Sequence, residues 1–68
     1  MKALSGRELC TLVERRGWKL LRVRGSHHVY GKSGVPARLI IPVHGSRSLP
    51  QGLLRYLLNQ AGLSEQDL

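Results

Sequence analysis

Trp18-Lys19-Leu20-Leu21-Arg22-Val23-Arg24-Gly25-Ser26-His27-His28-Val29-Tyr30-Gly31 reads as two strands and the turn between them. β-Branched, aromatic and aliphatic residues fill Trp18 to Arg24 and His27 to Gly31, and Gly25-Ser26 interrupts them with turn chemistry. Lys32 to Pro36, rich in Gly and Ser, reads as a hairpin loop, and Ala37 to Val43 as a third strand built on Leu39-Ile40-Ile41. Pro42 has no N–H to give to a ladder, so that end of the strand belongs to an edge or a terminus.

A helix flanks the strands on each side. Ser5-Gly6-Arg7-Glu8 has capping-box spacing, and Leu4 with Leu9 fits the hydrophobic staple that accompanies it. Leu9, Leu12 and Val13 continue an apolar stripe, Arg15 and Arg16 suit the C-terminal end of the dipole, and Gly17 is a natural stop. The first helix is therefore expected from about Gly6 to Arg16. After the loop His44-Gly45-Ser46-Arg47-Ser48, a second helix is expected, capped by Ser48 or Leu49, with Pro50 in its first turn and Gly62 at its end. Leu53, Leu54, Leu57, Leu58 and Ala61 supply its apolar face, and Ser64 to Leu68 form a short polar tail. The order is α-β-β-β-α. The economical solution is an α+β fold: a three-stranded antiparallel sheet with both helices packed on one face and the other face left open.

Sixty-eight residues make one domain. A chain of that size buries only about 60% of its unfolded surface, which leaves no room for a large pocket and favours action on a large charged partner. The net charge is +7, and the run from Arg15 to Ser64 contains no Asp or Glu while it carries nine of the eleven Lys and Arg and all three His. Ordinary surfaces intersperse both signs. Phosphate contact accounts for the imbalance better than a merely solvated face, and it implies steep salt dependence. Lys19, Arg22, Arg24, Lys32, Arg38, Arg47 and Arg55 are the candidate contacts. No apolar run approaches the roughly 20 residues of a membrane span. The first residues show no apolar signal segment and Cys10 is the sole cysteine, so a reducing cytoplasm is expected.

His27 and His28 are neighbours in a strand and so point to opposite faces. One face carries His27 and Val29, the other His28 and Tyr30. Val29 is taken as the better core residue, which puts His28 on the open face. On spacing alone, two inert strand-start histidines are the commoner case, because surface His titrates harmlessly. A metal site is not expected: the carboxylates Glu8, Glu14, Glu65 and Asp67 all lie outside the basic run. Gly31-Lys32-Ser33-Gly34 has the letters of a GxxG clamp but falls between strands, where a plain hairpin turn is the better reading.

Ser5-Gly6-Arg7-Glu8-Leu9, Gly17-Trp18, Gly25-Ser26-His27-His28-Val29-Tyr30, Ile41-Pro42-Val43-His44-Gly45 and Gln60-Ala61-Gly62-Leu63-Ser64 together resemble the HicA toxins, through nearly the whole chain. The resemblance implies a type II toxin–antitoxin system and a fold like that of double-stranded-RNA-binding domains. It also implies an mRNA interferase, that is, an endoribonuclease that needs no cofactor, with its catalytic histidine in a Gly-Ser-X-His segment. Carried onto this chain, that residue is His28, with Gly25 and Ser26 shaping the turn before it. Gly25, Ser26 and His44 join the basic residues as candidate RNA contacts. The implied partners are mRNA and a HicB-type antitoxin that covers the RNA-cleaving surface, and the free chain is expected to be a monomer. The family usually has Gly-Thr-Leu in the first turn of the last helix, where this chain has Gly52-Leu53-Leu54.

The competing expectation is a non-catalytic RNA-binding module of the same fold. Such modules usually carry a dense Lys cluster at the start of the last helix, a region that here offers only Arg47 and Arg55. A helix-turn-helix DNA binder fits poorly, because about thirty strand-like residues separate the two helices.

Overall fold

A computed structural model describes all 68 residues. Ser5 caps α1 (Gly6–Arg15): its hydroxyl accepts from the Glu8 N–H at 3.1 Å, and the Glu8 carboxylate accepts from the Ser5 N–H at 2.9 Å. These reciprocal bonds satisfy donors that a helix start otherwise leaves open. Leu4 and Leu9 are both buried, as the staple requires. Gly17, at φ 95°, turns the chain out of the helix, and the Trp18 N–H donates back to the Val13 carbonyl at 3.0 Å.

Three antiparallel strands follow in the order β1-β2-β3: β1 (Lys19–Arg24), β2 (His27–Lys32) and β3 (Val35–Pro42). The expected loop at Lys32 to Pro36 is shorter in the structure. Lys32 ends β2 and Val35 opens β3, pairing with each other across Ser33-Gly34. Gly34, at φ 81°, supplies the turn. Pro36 is tolerated because β3 is an edge strand. α2 (Gln51–Gln60) begins one or two residues later than a cap at Leu49 or Ser48 would place it: Pro50 is itself the cap position and no side chain caps the helix. The tail forms a single 3-10 turn (Glu65–Asp67), capped by Ser64 and tied to the end of α1 by the Arg16–Asp67 ion pair at 2.8 Å.

The two helices lie on one face of the sheet, and Trp18, Tyr30, Leu39, Ile41, Leu54 and Leu57 belong to the single core between the layers. The helix starts are held together. Ser5 and Ser48 form an isolated bridge, and the Leu49 N–H donates to the Leu4 carbonyl at 2.7 Å. α1 is seated so closely on the end of β3 that a Cβ added to Gly6 would fall 2.0 Å from the Pro42 carbonyl oxygen.

The strand alternation holds, but its direction is the reverse of the expected one. β2 pairs Tyr30 with Leu39 and His28 with Ile41, and Tyr30, Leu39 and Ile41 are among the most deeply buried residues of the core. His28 therefore lies on the helix side of the sheet, and His27 and Val29 lie on the open side. Val29 is buried there too, between Arg22 and Ile40 in the register, but outside the main core. Val29 is apolar, but Tyr30 buries more area and its hydroxyl finds a partner on α1, and that combination takes the interior position.

Candidate active site

The site begins with the stripe of α1 that the apolar face leaves over. Arg7, Cys10, Thr11 and Glu14 recur at i, i+3, i+4 and i+7, so they share one side of the helix. This stripe overhangs the part of the sheet that the helices do not cover. β1 is exposed along its whole length, including Leu20 and Val23, which pair with Tyr30 and His28. Between helix and sheet runs a cleft of about 240 Å³, lined by Arg7, Cys10, Thr11, Glu14, Leu20, His28, Tyr30 and Val43.

His28 enters this cleft from β2. Gly25, at φ 59°, makes the tight β1–β2 turn, and the Ser26 carbonyl accepts from the Val43 N–H at 2.8 Å, which fixes the start of β2 against the end of β3. His28 is half-buried, with Val23 and Ile41 as its cross-strand neighbours. Two residues on, Tyr30 is 1% exposed and its hydroxyl donates to Glu14 Oε2 at 2.5 Å. Burial is the main cause that pushes the Tyr30 phenol far above its ordinary range, and the neighbouring Cys10 and the Glu14 charge push the same way. Burial likewise pushes the Cys10 thiol up. Tyr30 therefore holds its proton and spends it on Glu14.

The basic residues singled out from the sequence do not form one surface. By register and alternation, Lys19, Arg22 and Arg24 lie on the open side of the sheet, and Arg38 joins them beside Gly31. None of these four has an acidic partner, since the ion pairs of the chain are Arg16–Asp67 and the N-terminus with Glu65. Lys32 runs alongside Gly17 at the far end of α1. Gly25 and Ser26 form the turn before β2. His44 and Arg47 line a second cavity of about 380 Å³ with Pro42, Leu49 and Leu53, next along the chain from Val43. Leu53 is half-buried against the core, so the position where the family usually has Thr serves packing here. Arg55 lies apart, in a groove of about 430 Å³ between α2 and the tail, and the largest hollow in the molecule is thus remote from His28.

The cleft includes three groups that sequence reasoning did not assign to a site: Arg7, Cys10 and Glu14. Their helical spacing was the available signal, masked by the stronger apolar stripe beside it. No three His, Cys, Asp or Glu side chains converge as a metal-ligand set. No curated protein matches the chain. A family model described as the HicA toxin of bacterial toxin–antitoxin systems matches residues 6–63, from the first residue of α1 to just beyond the end of α2. Helix, three-stranded antiparallel sheet and helix also agree with the expected fold, and with the family match over almost the whole chain, this protein belongs to the HicA toxin family, whose members act as the toxin of a toxin–antitoxin pair.

Proposed function

We propose that this toxin is an endoribonuclease that cleaves mRNA through His28 and is neutralised by a HicB-type antitoxin. One observation carries the reading: His28, the one histidine of the cleft between α1 and the sheet, stands half-buried beneath a helix stripe that presents Arg7, so a proton-transfer group and a cation share a hollow open to a polyanion. A phosphodiester in that hollow meets both. The adjacent 2′-hydroxyl attacks phosphorus, the bond to the 5′-oxygen breaks, and the products are a cyclic 2′,3′-phosphate and a free 5′-hydroxyl. His28 serves as base for the first proton or as acid for the second. Arg7 stabilises the charge that builds on the phosphoryl oxygens in the transition state. The need for a 2′-hydroxyl makes RNA, and not DNA, the substrate.

His44 and Arg47, in the cavity reached past Val43, extend the RNA contacts beyond the cleft. Lys19, Arg22, Arg24 and Arg38 contribute the long-range field that draws RNA in. An acidic antitoxin complements the same +7 charge and associates rapidly and salt-sensitively. The test is RNA cleavage by a His28→Ala variant whose fold is verified by circular dichroism. Full activity in that variant would remove His28 from the mechanism. RNA binding by the unmodified chain without any cleavage would instead favour a non-catalytic RNA-binding module, a reading that the absence of a Lys cluster at the start of α2 disfavours.

A further inference from the structure

The chain has four carboxylate side chains, and three are occupied elsewhere. Glu8 closes the capping box, Asp67 holds Arg16 and the Ser64 N–H, and Glu65 faces the N-terminal amine at 4.0 Å. Glu14 alone lines the cleft with His28, and it has no cationic partner although the chain carries a net charge of +7. A negative charge in a hollow that receives phosphate repels the ligand, so in a protein that merely grips RNA it is a liability. Glu14 is exposed on the rim of the cleft, and it is anchored there by one bond: the buried Tyr30 hydroxyl donates to Oε2 and leaves Oε1 without a protein partner.

We propose that Glu14 is the acid–base partner of His28, an assignment that rests on the ribonuclease reading above. At neutral pH a carboxylate only accepts a proton, whereas an imidazole can carry one to give. Glu14 Oε1 therefore takes the proton of the 2′-hydroxyl as the 2′-oxygen bonds to phosphorus. His28 gives its proton to the 5′-oxygen as the phosphorus–oxygen bond breaks. Both groups return to their starting protonation by exchange with water. The other titratable groups lining the cleft do not fit either role. Arg7 keeps its charge, the Cys10 thiol is buried, and the Tyr30 hydrogen is already engaged by Glu14. His44 lines a different cavity. Tyr30 is the positioning residue for Glu14.

The experiment uses the full chain and a mixed-sequence RNA oligonucleotide whose cleavage position is mapped with the unmodified protein. A second oligonucleotide carries sulfur in place of the 5′-oxygen at that position, a leaving group that needs no proton. Glu14→Gln keeps an acceptor for Tyr30 and removes the charge. It is expected to cleave about 100-fold more slowly, with no recovery on the sulfur substrate. His28→Ala is expected to be slow on the oxygen substrate and to recover on the sulfur one. Tyr30→Phe is expected to lower kcat with little change in KM. Cleavage by Glu14→Gln near the rate of the unmodified protein, or its recovery on sulfur, overturns the assignment of Glu14 and leaves His28 standing. Full activity in His28→Ala overturns the ribonuclease site itself. If Glu14→Gln fails to fold, Glu14→Asp decides, because it keeps the charge but withdraws the carboxylate by one methylene: cleavage of the oxygen substrate at the rate of the unmodified protein excludes Glu14 as base.

Discussion

Tyr30, on the central strand, donates its hydroxyl hydrogen to Glu14, sixteen residues earlier on α1, and this bond joins the helix to the sheet at the back of the His28 cleft. The donor is buried and the acceptor is charged, a combination worth about 1.5–3 kcal/mol in favourable settings and less where the acceptor can turn to water. Tyr30→Phe is expected to lower stability by about 1–2 kcal/mol, measured by urea denaturation. A change below about 0.3 kcal/mol would show that packing alone seats α1.

Two glycines make opposite predictions. A Cβ on Gly6 would meet the Pro42 carbonyl oxygen, a backbone atom, at 2.0 Å, with no flexible side chain to yield. Gly6→Ala must therefore push α1 off the end of β3, at a cost of about 3 kcal/mol or more, near the upper end of overpacking effects. Gly52, on α2, has nothing within 4 Å of its added Cβ. Gly52→Ala is expected to stabilise by about 0.5–1 kcal/mol through helix propensity. Thermal melts of the two variants should shift in opposite directions.

Acid should loosen both ends of the fold. The Ser5 backbone N–H, then its hydroxyl, holds the Glu8 carboxyl below its ordinary 4.5, and the Ser64 N–H, then Arg16, holds Asp67 below 3.8. A depressed folded value contributes stability that is complete above the unfolded value and is lost as pH falls through the folded one. Stability should thus decline from about pH 5 downward through both values. In Glu8→Gln and Asp67→Asn the decline should be shallower. An unchanged acid limb in the double variant would assign it to other groups.

Arg7 and the open-face cations should fail differently. Arg7 shares the cleft with His28, so Arg7→Ala is expected to reduce the single-turnover rate at saturating RNA by about 100-fold. Arg22, Arg24 and Arg38 lie on the other side of the sheet, and replacing all three by Ala should weaken RNA binding and flatten its salt dependence. A rate loss in the triple variant as large as that of Arg7→Ala would place the reacting phosphate on the open face.

The element order and most element ends were legible in the sequence because their signals are local. Ser5 and Glu8 are three residues apart, Gly17 and Gly62 stop helices by their own backbone preference, and Gly25-Ser26 breaks the strand run. The hairpin between β2 and β3 was overextended because Val35 and Pro36 look like loop residues until Val35 has Lys32 to pair with. The candidate site was legible only in part. His28 could be named, but Arg7 and Glu14 lie in the helix before the basic run, and only packing brings them over β2.

Strand alternation by itself separated His27 from His28, because parity along a strand is a covalent property of the backbone. It could not say which of them faces the helices, since Val29 and Tyr30 are both buried and either could have met the core. Tertiary packing settled that choice. Tyr30 fills more of the space beneath α1, and its hydroxyl must find an acceptor once it is buried. Glu14 supplies that acceptor from α1, and so His28, two residues before Tyr30 and on the same face, stands in the cleft and not on the open sheet.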